Sequence, residues 1–544
     1  VPAFPTDLEL IERWRDEPAP LLPLLHAFNE RDGHISQEAL RAMAEGLRMP
    51  LANLHGSVTF YHHISSDPGS RDKPRVCTGP ICRLHGSEQL LAELEGAEGM
   101  ACAGRCDDPI PVLQADRALV GQPGGELQEL PTPLPPPNPG GVEECCFERI
   151  READRATYAG YVSTGGYQAL ARAREMESEE ILQVLEDSGL AGRGGAGFPT
   201  AVKWRAVRDA EGGPKTLVCN ADEGEPGCFK DRVLLDHDPH AILEGLAIAG
   251  LATGARRGFI YLRYEYPQTL AIWERAIDEA REHLDGFEFC VRRGAGAYIC
   301  GEETSLLNSL EGQHPFPRNR PPYPVTHGYE QTPTVVNNVE TLASVAPILV
   351  HGADWYAGLG LGDHKGTKLI SLSGDVLRPG NYEVPMGLPL RTLLFDWAGI
   401  DESRQVQAVT MAGLSGGFLG ADDLDVTLDE ACLRARGSFL GAGGIMVFDD
   451  RRDMFEIAHQ AMDFFASESC GKCFPCRIGS RRLTERLSGQ AGPAAKEEWV
   501  SEVAAIGQTM AQLSACGLGK SAPLITDSLM RLFPDQVNAK LQAR

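Results

Sequence analysis

The longest weakly polar stretch of this 544-residue chain, "AILEGLAIAGLATG", is only 14 residues long and carries Glu244. A helix crossing a bilayer needs about 20 consecutive apolar residues, so no membrane-inserted segment is expected. Positive charge is also scarce: 51 Lys and Arg stand against 76 Asp and Glu, a formal net charge of -25. A protein that grips nucleic-acid phosphates needs a basic face, which excludes that class. The opening residues hold no charged-then-apolar signal segment, and a cytoplasmic location is expected. There is no internal repeat and no heptad run, and no Ser-His-Asp or Cys-His arrangement is suggested.

What the chain does contain is enough apolar residue, 42%, for several cored domains. It also contains 15 cysteines, which in a reducing compartment point to metal or redox work rather than disulfides.

The pattern divides the chain into α/β and helical units. Residues 1-72 read as helical: "TDLELIERW" opens with a capping box from Thr6 to Glu9, and "SQEALRAMAEGL" starts again at Ser36. Residues 73-130 put short strand-like pieces, "PRVC" and "IPVLQA", on either side of the helix "SEQLLAELEG". Residues 131-142, "PTPLPPPNPGG" and the valine after it, form a polyproline-type spacer. Residues 143-350 mix helices with glycine loops like an α/β nucleotide domain. In 351-440, "GTKLISLSGDVLRPGNYEV" is a hairpin signal followed by the helical "PLRTLLFDWAG", the pattern of a ubiquitin-like unit. Residues 441-544 are mainly helical, with Met454, Phe455, Ile457, Ala458, Met462 and Phe465 on one side of a helix that ends at a cysteine cluster.

Two cysteine sets carry ligand spacing. "SCGKCFPCRIG" sets Cys470, Cys473 and Cys476 at C-x2-C-x2-C, with Cys516 following in "SACGLGK". Two-residue gaps let successive thiolates reach adjacent corners of a four-iron cubane, and a remote fourth cysteine closes it. A four-cysteine zinc site is the alternative, although zinc ribbons usually present two separated pairs. The second set is Cys77, Cys82, Cys102 and Cys106, spaced C-x4-C and C-x3-C. Two pairs of thiolates suit a two-iron cluster, one pair per iron; zinc remains open there too. Cys145, Cys146, Cys219, Cys228, Cys290, Cys300 and Cys432 share no ligand spacing and are expected to be buried thiols.

The stretch "LAGRGGAGFPTAVKW" contains Gly192, Gly194 and Gly197 as G-x-G-x-x-G. A dinucleotide fingerprint requires a strand before the glycines and a helix after them. Here "SEEILQVLEDSGL" has helical spacing, with Ser178 as N-cap and Gly189 as stop, so a helix feeds the loop and the Rossmann reading fails. Further polar stretches accompany it. "VCNADEGEPGCFKDR" carries Asn220, Asp222, Glu223 and Glu225; "GAGAYICGEETSLLNSLEG" carries Tyr298, Glu302 and Glu303; "PTVVNN" adds Asn337 and Asn338. Carboxylates and amides accept from ribose, ribityl and amide hydrogens, while a glycine-rich backbone and Lys203 suit phosphate. His237 and His240 in "DHDPH" are expected on the surface.

Together "GRGGAGFPT…KW", "NADEGEPGCFKDR", "GAYICGEETSLL" and "ESCGKCFPCRIG…CGLG" resemble the NADH-oxidising flavoprotein of complex I and of soluble NAD-dependent dehydrogenases. The first 130 residues, with "VTFYHHI", "VCTGPIC" and "CAGRC", resemble that flavoprotein's small two-iron partner, so both subunits look fused through the proline spacer. The resemblance implies a thioredoxin-like [2Fe-2S] domain, a non-Rossmann α/β FMN/NAD domain, a ubiquitin-like β-grasp domain and a helical [4Fe-4S] bundle. It implies FMN at Gly192, Arg193, Gly194, Gly195, Ala196, Gly197 and Lys203, with Asn220, Asp222, Tyr298, Gly301, Glu302, Asn337 and Asn338. NAD(H) would lie against Phe198, Glu225, Glu303, Arg320 and Tyr323. The last two depart from the family's usual lysine and phenylalanine, keeping a charge and a ring; the 19-residue gap between Cys82 and Cys102 is shorter than the family's. Because NAD(H) moves a hydride and clusters move single electrons, a flavin is needed between them, and no side-chain general base is expected. The wording "SCGKCFPCRIGS" is most similar to the β subunit of a molybdenum or tungsten formate dehydrogenase. That implies a hetero-oligomer in which formate is oxidised on an α subunit; a hydrogenase or a complex I relay subunit is the other partner implied.

Overall fold

The computed structural model describes residues 5–542 apart from 132, 285, 493 and 494. Three sheets and a helical C-terminal region organise them. The opening helices start where the sequence places them. Thr6 Oγ1 accepts from Glu9 N–H at 3.3 Å while Glu9 returns a carboxylate to Thr6 N–H at 2.7 Å, and Ser36 caps helix Gln37–Gly46. Each such cap is worth about 1 kcal/mol.

The first sheet has the order β2-β1-β3-β4-β5, from β1 Arg75–Cys77, β2 Glu98–Met100, β3 Pro111–Gln114, β4 Arg117–Val120 and β5 Gln128–Glu129. The short gap between Cys82 and Cys102 holds helix Ser87–Glu93 and still returns the chain to the parallel β1·β2 pair. The proline stretch after it has neither helix nor strand; Thr132 lies outside the described residues. It is not wholly free of packing, since Pro136 is buried and its carbonyl accepts from Arg151 Nε at 2.7 Å.

The second sheet is all parallel, β8-β7-β6-β9, from β6 Thr216–Ala221, β7 Arg257–Leu262, β8 Glu288–Arg293 and β9 Thr334–Asn338. The apolar stretch that is too short for a membrane is helix Pro239–Thr253, buried on nearly every side. Its one charge, Glu244, accepts from Tyr161 Oη at 2.5 Å and from the N–H groups of Leu170 and Tyr167 at 2.8 and 3.0 Å. Two expectations are corrected nearby. His240 is fully buried, with Nδ1 2.9 Å from Tyr167 Oη, and burial pushes its imidazole down to about 4, so it stays neutral. Helix Ser178–Ser188 is capped by Glu177, one residue before the serine expected.

The third sheet runs β11-β10-β14-β12-β13, from β10 Thr367–Gly374, β11 Gly380–Pro385, β12 Val406–Thr410, β13 Phe418–Gly420 and β14 Gly444–Asp449. Its β10·β11 hairpin and parallel β10·β14 pair, with a π-helical turn over Thr392–Ala398, give the β-grasp layout. Helices Met454–Ser467, Phe474–Ser488, Lys496–Leu513 and Pro523–Leu532 close the molecule around a shared apolar core. Of the unassigned cysteines, Cys290 is half-buried and Cys432 is exposed, against the expectation of burial; a polar edge helix, Glu430–Ala435, carries the latter.

Candidate functional site

The glycine loop is entered from a helix that stops at Gly189 in the left-handed region (φ 75°), and it leaves into helix Thr200–Asp209. Gly192 N–H donates to Phe198 carbonyl at 2.8 Å, pinching the loop shut at its base. Gly195 and Gly197 have φ of 121° and 63°, conformations that favour glycine. At Gly194 a Cβ would sit 3.0 Å from Asn338 Cβ, and at Gly301 one would sit 3.1 Å from Asp222 carbonyl, so a side chain at either position would crowd the neighbouring wall. Ala196 and Phe198 are exposed on this loop, Phe198 by 49%.

Asn220, next to last in β6, donates from Nδ2 to Gly301 carbonyl at 2.8 Å, while its Oδ1 accepts from Asp222 N–H at 3.1 Å. Asp222 Oδ2 is buried with no hydrogen-bond partner, and burial pushes its carboxyl well up. An orphaned buried acceptor beside a glycine-lined wall fits a ligand that brings a donor. Asn338 donates from Nδ2 to Asp231 at 2.6 Å, and Asn337 Oδ1 is taken by Trp204 Nε1 at 2.7 Å. Charge alternates along one side: Lys203 Nζ is 3.5 Å from Glu303, and Arg320 is 2.9 Å from Glu303 and 2.5 Å from Glu302. Glu302 also accepts from the N–H groups of Thr304 and Ser305, so it caps helix Glu303–Leu310. Tyr323 stands 53% exposed beyond the prolines.

Two of the implied residues are met by partners from distant parts of the chain. Arg193 is buried; it donates to Tyr356 Oη at 2.7 Å, and its own carbonyl accepts from Lys368 Nζ at 2.9 Å. Its guanidinium is thus held by helix Ala353–Gly358, and its carbonyl ties the glycine loop to β10 of the β-grasp unit. Glu225 accepts from Leu414 N–H at 2.8 Å, Ser415 N–H at 3.0 Å, Ser415 Oγ at 2.8 Å and Tyr298 Oη. Burial nonetheless pushes its carboxyl up to about 7. The donors from 414–415 come from the β-grasp unit and have no sequence signal. Nor does the buried set behind Asn338, in which Lys230 Nζ is 2.6 Å from Asp231 and 2.8 Å from Glu340, and Lys368 Nζ is 2.6 Å from Glu340.

The turn Tyr298–Gly301 joins this cleft to the C-terminal cysteines. Tyr298 Oη faces Glu225, its N–H donates to Glu468 at 3.0 Å, and Ile299 lines one cavity with Cys470, Cys473, Cys476 and Cys516. Cys473 stands at the N-terminus of helix Phe474–Ser488, whose positive end favours a negative cluster. Lys472 Nζ donates to Asn319 Oδ1 at 3.0 Å, tying the cysteine loop to the stretch that carries Arg320. Four sulfurs around one cavity, with Ser469 Oγ 3.3 Å from Cys476 Sγ, fit a cubane.

The other four cysteines are all buried: Cys77 by β1, Cys82 in helix Pro80–Leu84, and Cys102 and Cys106 on a loop after β2. The Cys102 and Cys106 sulfurs are 3.9 Å apart, and the Cys77 thiol reaches those of Cys82 and Cys102. Ala103 and Gly104 N–H groups aim at Cys77 and Cys102 sulfurs, each at 3.4 Å, as second-sphere donors to thiolate do. This donor set fits a two-iron cluster.

A thioredoxin-like sheet, a parallel α/β unit with a non-Rossmann glycine loop, a β-grasp and a four-cysteine helical bundle define an iron-sulfur flavoprotein. Residues 185–347 match the Nuo51 FMN-binding domain, 456–540 the NADH-ubiquinone oxidoreductase-F iron-sulfur binding region, and 8–117 the thioredoxin-like [2Fe-2S] ferredoxin. The chain is 33% identical over 98% of its length to the NAD-reducing hydrogenase HoxS subunit alpha of Cupriavidus necator, covering 94% of that protein. It is 42% identical to an NADH-quinone oxidoreductase subunit of Rhizobium meliloti, over 74% of this chain and 98% of that one. A solved NAD+-reducing [NiFe]-hydrogenase in its H2-reduced state has a chain that superposes with a TM-score of 0.83 at 32% identity, over 97% of this chain and 94% of that one. The chain belongs to the complex I 51 kDa family of NADH-oxidising flavoproteins, with FMN, [2Fe-2S] and [4Fe-4S] domains. The zinc alternatives fall with that membership. Among the described residues no helix is long and apolar enough to cross a membrane.

Proposed function

We propose that this chain is the diaphorase subunit of a cytoplasmic NAD-dependent formate dehydrogenase. It would exchange hydride with NAD(H) and pass single electrons between its clusters and a molybdenum- or tungsten-bearing partner. The observation that carries the electron path is the turn Tyr298–Gly301, which places Tyr298 against Glu225 and Ile299 against the four-cysteine cavity. FMN supplies the conversion between two-electron and one-electron chemistry when bound. The chain's own residues would hold it: the glycine backbone and Lys203 would receive its phosphate, Asn220 and Asp222 would meet its polar groups, and Asn338, itself held by Asp231, would complete the wall. Phe198 and Tyr323 offer exposed rings to a nicotinamide dinucleotide, and Arg320 a cation. The cysteines are divided as the resemblance implies, Cys470, Cys473, Cys476 and Cys516 for [4Fe-4S] and Cys77, Cys82, Cys102 and Cys106 for [2Fe-2S].

Phe198→Ala tests the dinucleotide side. The loss of ring stacking raises KM for NADH about tenfold while FMN stays bound; flavin loss instead means the residue serves the flavin. The partner is tested by identifying co-purifying chains by mass spectrometry and assaying formate-dependent NAD reduction. A second reading, hydrogen as electron donor, is favoured by the full-length similarity to the hydrogenase subunit. An intact complex inert to formate but active with hydrogen establishes that reading in place of the first.

A further inference from the structure

Cys145, Cys146 and Glu383 belong to neither cluster set, yet they meet in the interior. Their two sulfurs and a carboxylate oxygen lie within 4.8 Å of one another, and all three residues are buried, at 1%, 8% and 2% exposure. A fourth group joins them. Cys146 Sγ is 3.3 Å from Ser344 Oγ, the Cys145 thiol also reaches that hydroxyl, and Ser344 is buried. The four come from three parts of the chain: the segment after the proline spacer, the end of helix Val339–Ala343, and β11. No spacing in the sequence brings them together.

The oxygen donors keep capacity for a further partner. Glu383 Oε1 accepts from the N–H groups of Cys145 and Cys146 at 2.7 and 3.1 Å and from Thr367 Oγ1 at 2.5 Å, whereas Oε2 accepts only from Phe147 N–H at 2.7 Å. A carboxylate oxygen carries two lone pairs, so Oε2 retains one. Ser344 Oγ donates to Glu340 carbonyl at 2.8 Å, which leaves its lone pairs unused by that bond. Among the described residues Glu383 forms no ion pair, and the neighbouring charge of Glu144 is also negative and is taken by Arg151 at 2.7 Å. Arg193 is buried, likewise forms no ion pair among the described residues and has no partner at Nε, and its charge bears on Cys146. Glu340, a carboxylate within its reach, is shared by Lys230 and Lys368 at 2.8 and 2.6 Å.

Two sulfur and two oxygen donors suit a borderline-soft divalent ion that takes four ligands, and a site closed by protein on every side is structural rather than catalytic. We propose that Cys145, Cys146, Glu383 and Ser344 form a structural zinc site that pins the segment after the spacer to the α/β unit and to the β-grasp sheet. Both thiols lose their protons to solvent as the ion binds, the serine stays a neutral hydroxyl, and no electron moves. The two charges of zinc and the one of Arg193 then balance two thiolates and one carboxylate. The site is separate from both iron-sulfur cysteine sets and independent of which partner the chain serves.

The test is metal analysis and zinc-edge X-ray absorption of the full chain, produced with zinc supplied and with its iron in place. One zinc per chain is expected, with two sulfur neighbours at about 2.3 Å and two oxygen neighbours at about 2.0 to 2.2 Å. A chain carrying both Cys145→Ser and Cys146→Ser loses the zinc and keeps its iron content. Glu383→Gln lowers zinc affinity at least about tenfold in competition with a chelator. A native chain without zinc overturns the proposal. So does zinc with four sulfur neighbours, which would sit among the cluster cysteines, and so does zinc retained in full by the double-serine chain. Should the double variant fail to fold, the sulfur count of the native chain decides: two sulfurs support the proposal, and any other number overturns it.

Discussion

The two cysteine sets of this chain are built on opposite principles. The N-terminal four are buried, and the loop of Cys102 and Cys106 is pressed against guanidinium groups of the neighbouring α/β unit. Three of the C-terminal four, Cys470, Cys473 and Cys516, are only half-buried. Around them the surface is apolar and basic: Phe474 is 67% exposed, Ile478 46% and Leu513 65%, with Lys472, Arg477 and Lys520 also exposed on a chain of net charge -25. One set is thus enclosed by the fold, whereas the other opens towards the surface. Exposed large apolar side chains rimmed by charge are the usual mark of an interaction surface.

That contrast can be broken most sharply at the ligands. Cys476→Ser abolishes the four-iron signal and lowers electron delivery to the partner at least about 100-fold, while NADH still reduces bound FMN in a single turnover measured by flavin absorbance. Cys102→Ser abolishes the two-iron signal but lowers steady-state delivery by less than about tenfold; equal losses in the two variants would make both clusters members of one obligatory path. Next in size is the effect of an iron chelator under mild oxidation. The half-buried set loses iron first, read as decay of the four-iron signal ahead of the two-iron signal, and simultaneous loss would mean that burial does not protect. The smallest effect is expected from Phe474→Asp, which weakens partner binding about tenfold in a titration with the isolated partner and leaves NADH oxidation with a small artificial acceptor intact. If that variant binds as wild type, the apolar patch is not the docking face.

Much of the candidate site is legible in the sequence because the cysteines of one set sit close together along the chain. C-x2-C-x2-C places Cys470, Cys473 and Cys476 on one loop and the first turn of one helix, whatever the rest of the fold does. The capping box at Thr6 and the stop at Gly189 are equally local. Residue type misled where a long-range partner claimed the side chain. His240 looks exposed but is buried, with Tyr167 at its Nδ1; the contacts of Arg193 with Tyr356 and of Glu225 with the 414–415 loop likewise join distant parts of the chain and leave no signal in the sequence.

The sequence by itself determined the ligand spacings, the helix that feeds the glycine loop, the hairpin of the β-grasp unit and the order of the units. Each depends on neighbours a few residues apart, where backbone periodicity and turn chemistry act directly. Only the tertiary structure decided that Arg263 would reach Cys102 and that the turn Tyr298–Gly301 would serve two sites. Those contacts join residues far apart in the chain, and they exist because packed units bury charges that must then find partners across the interface.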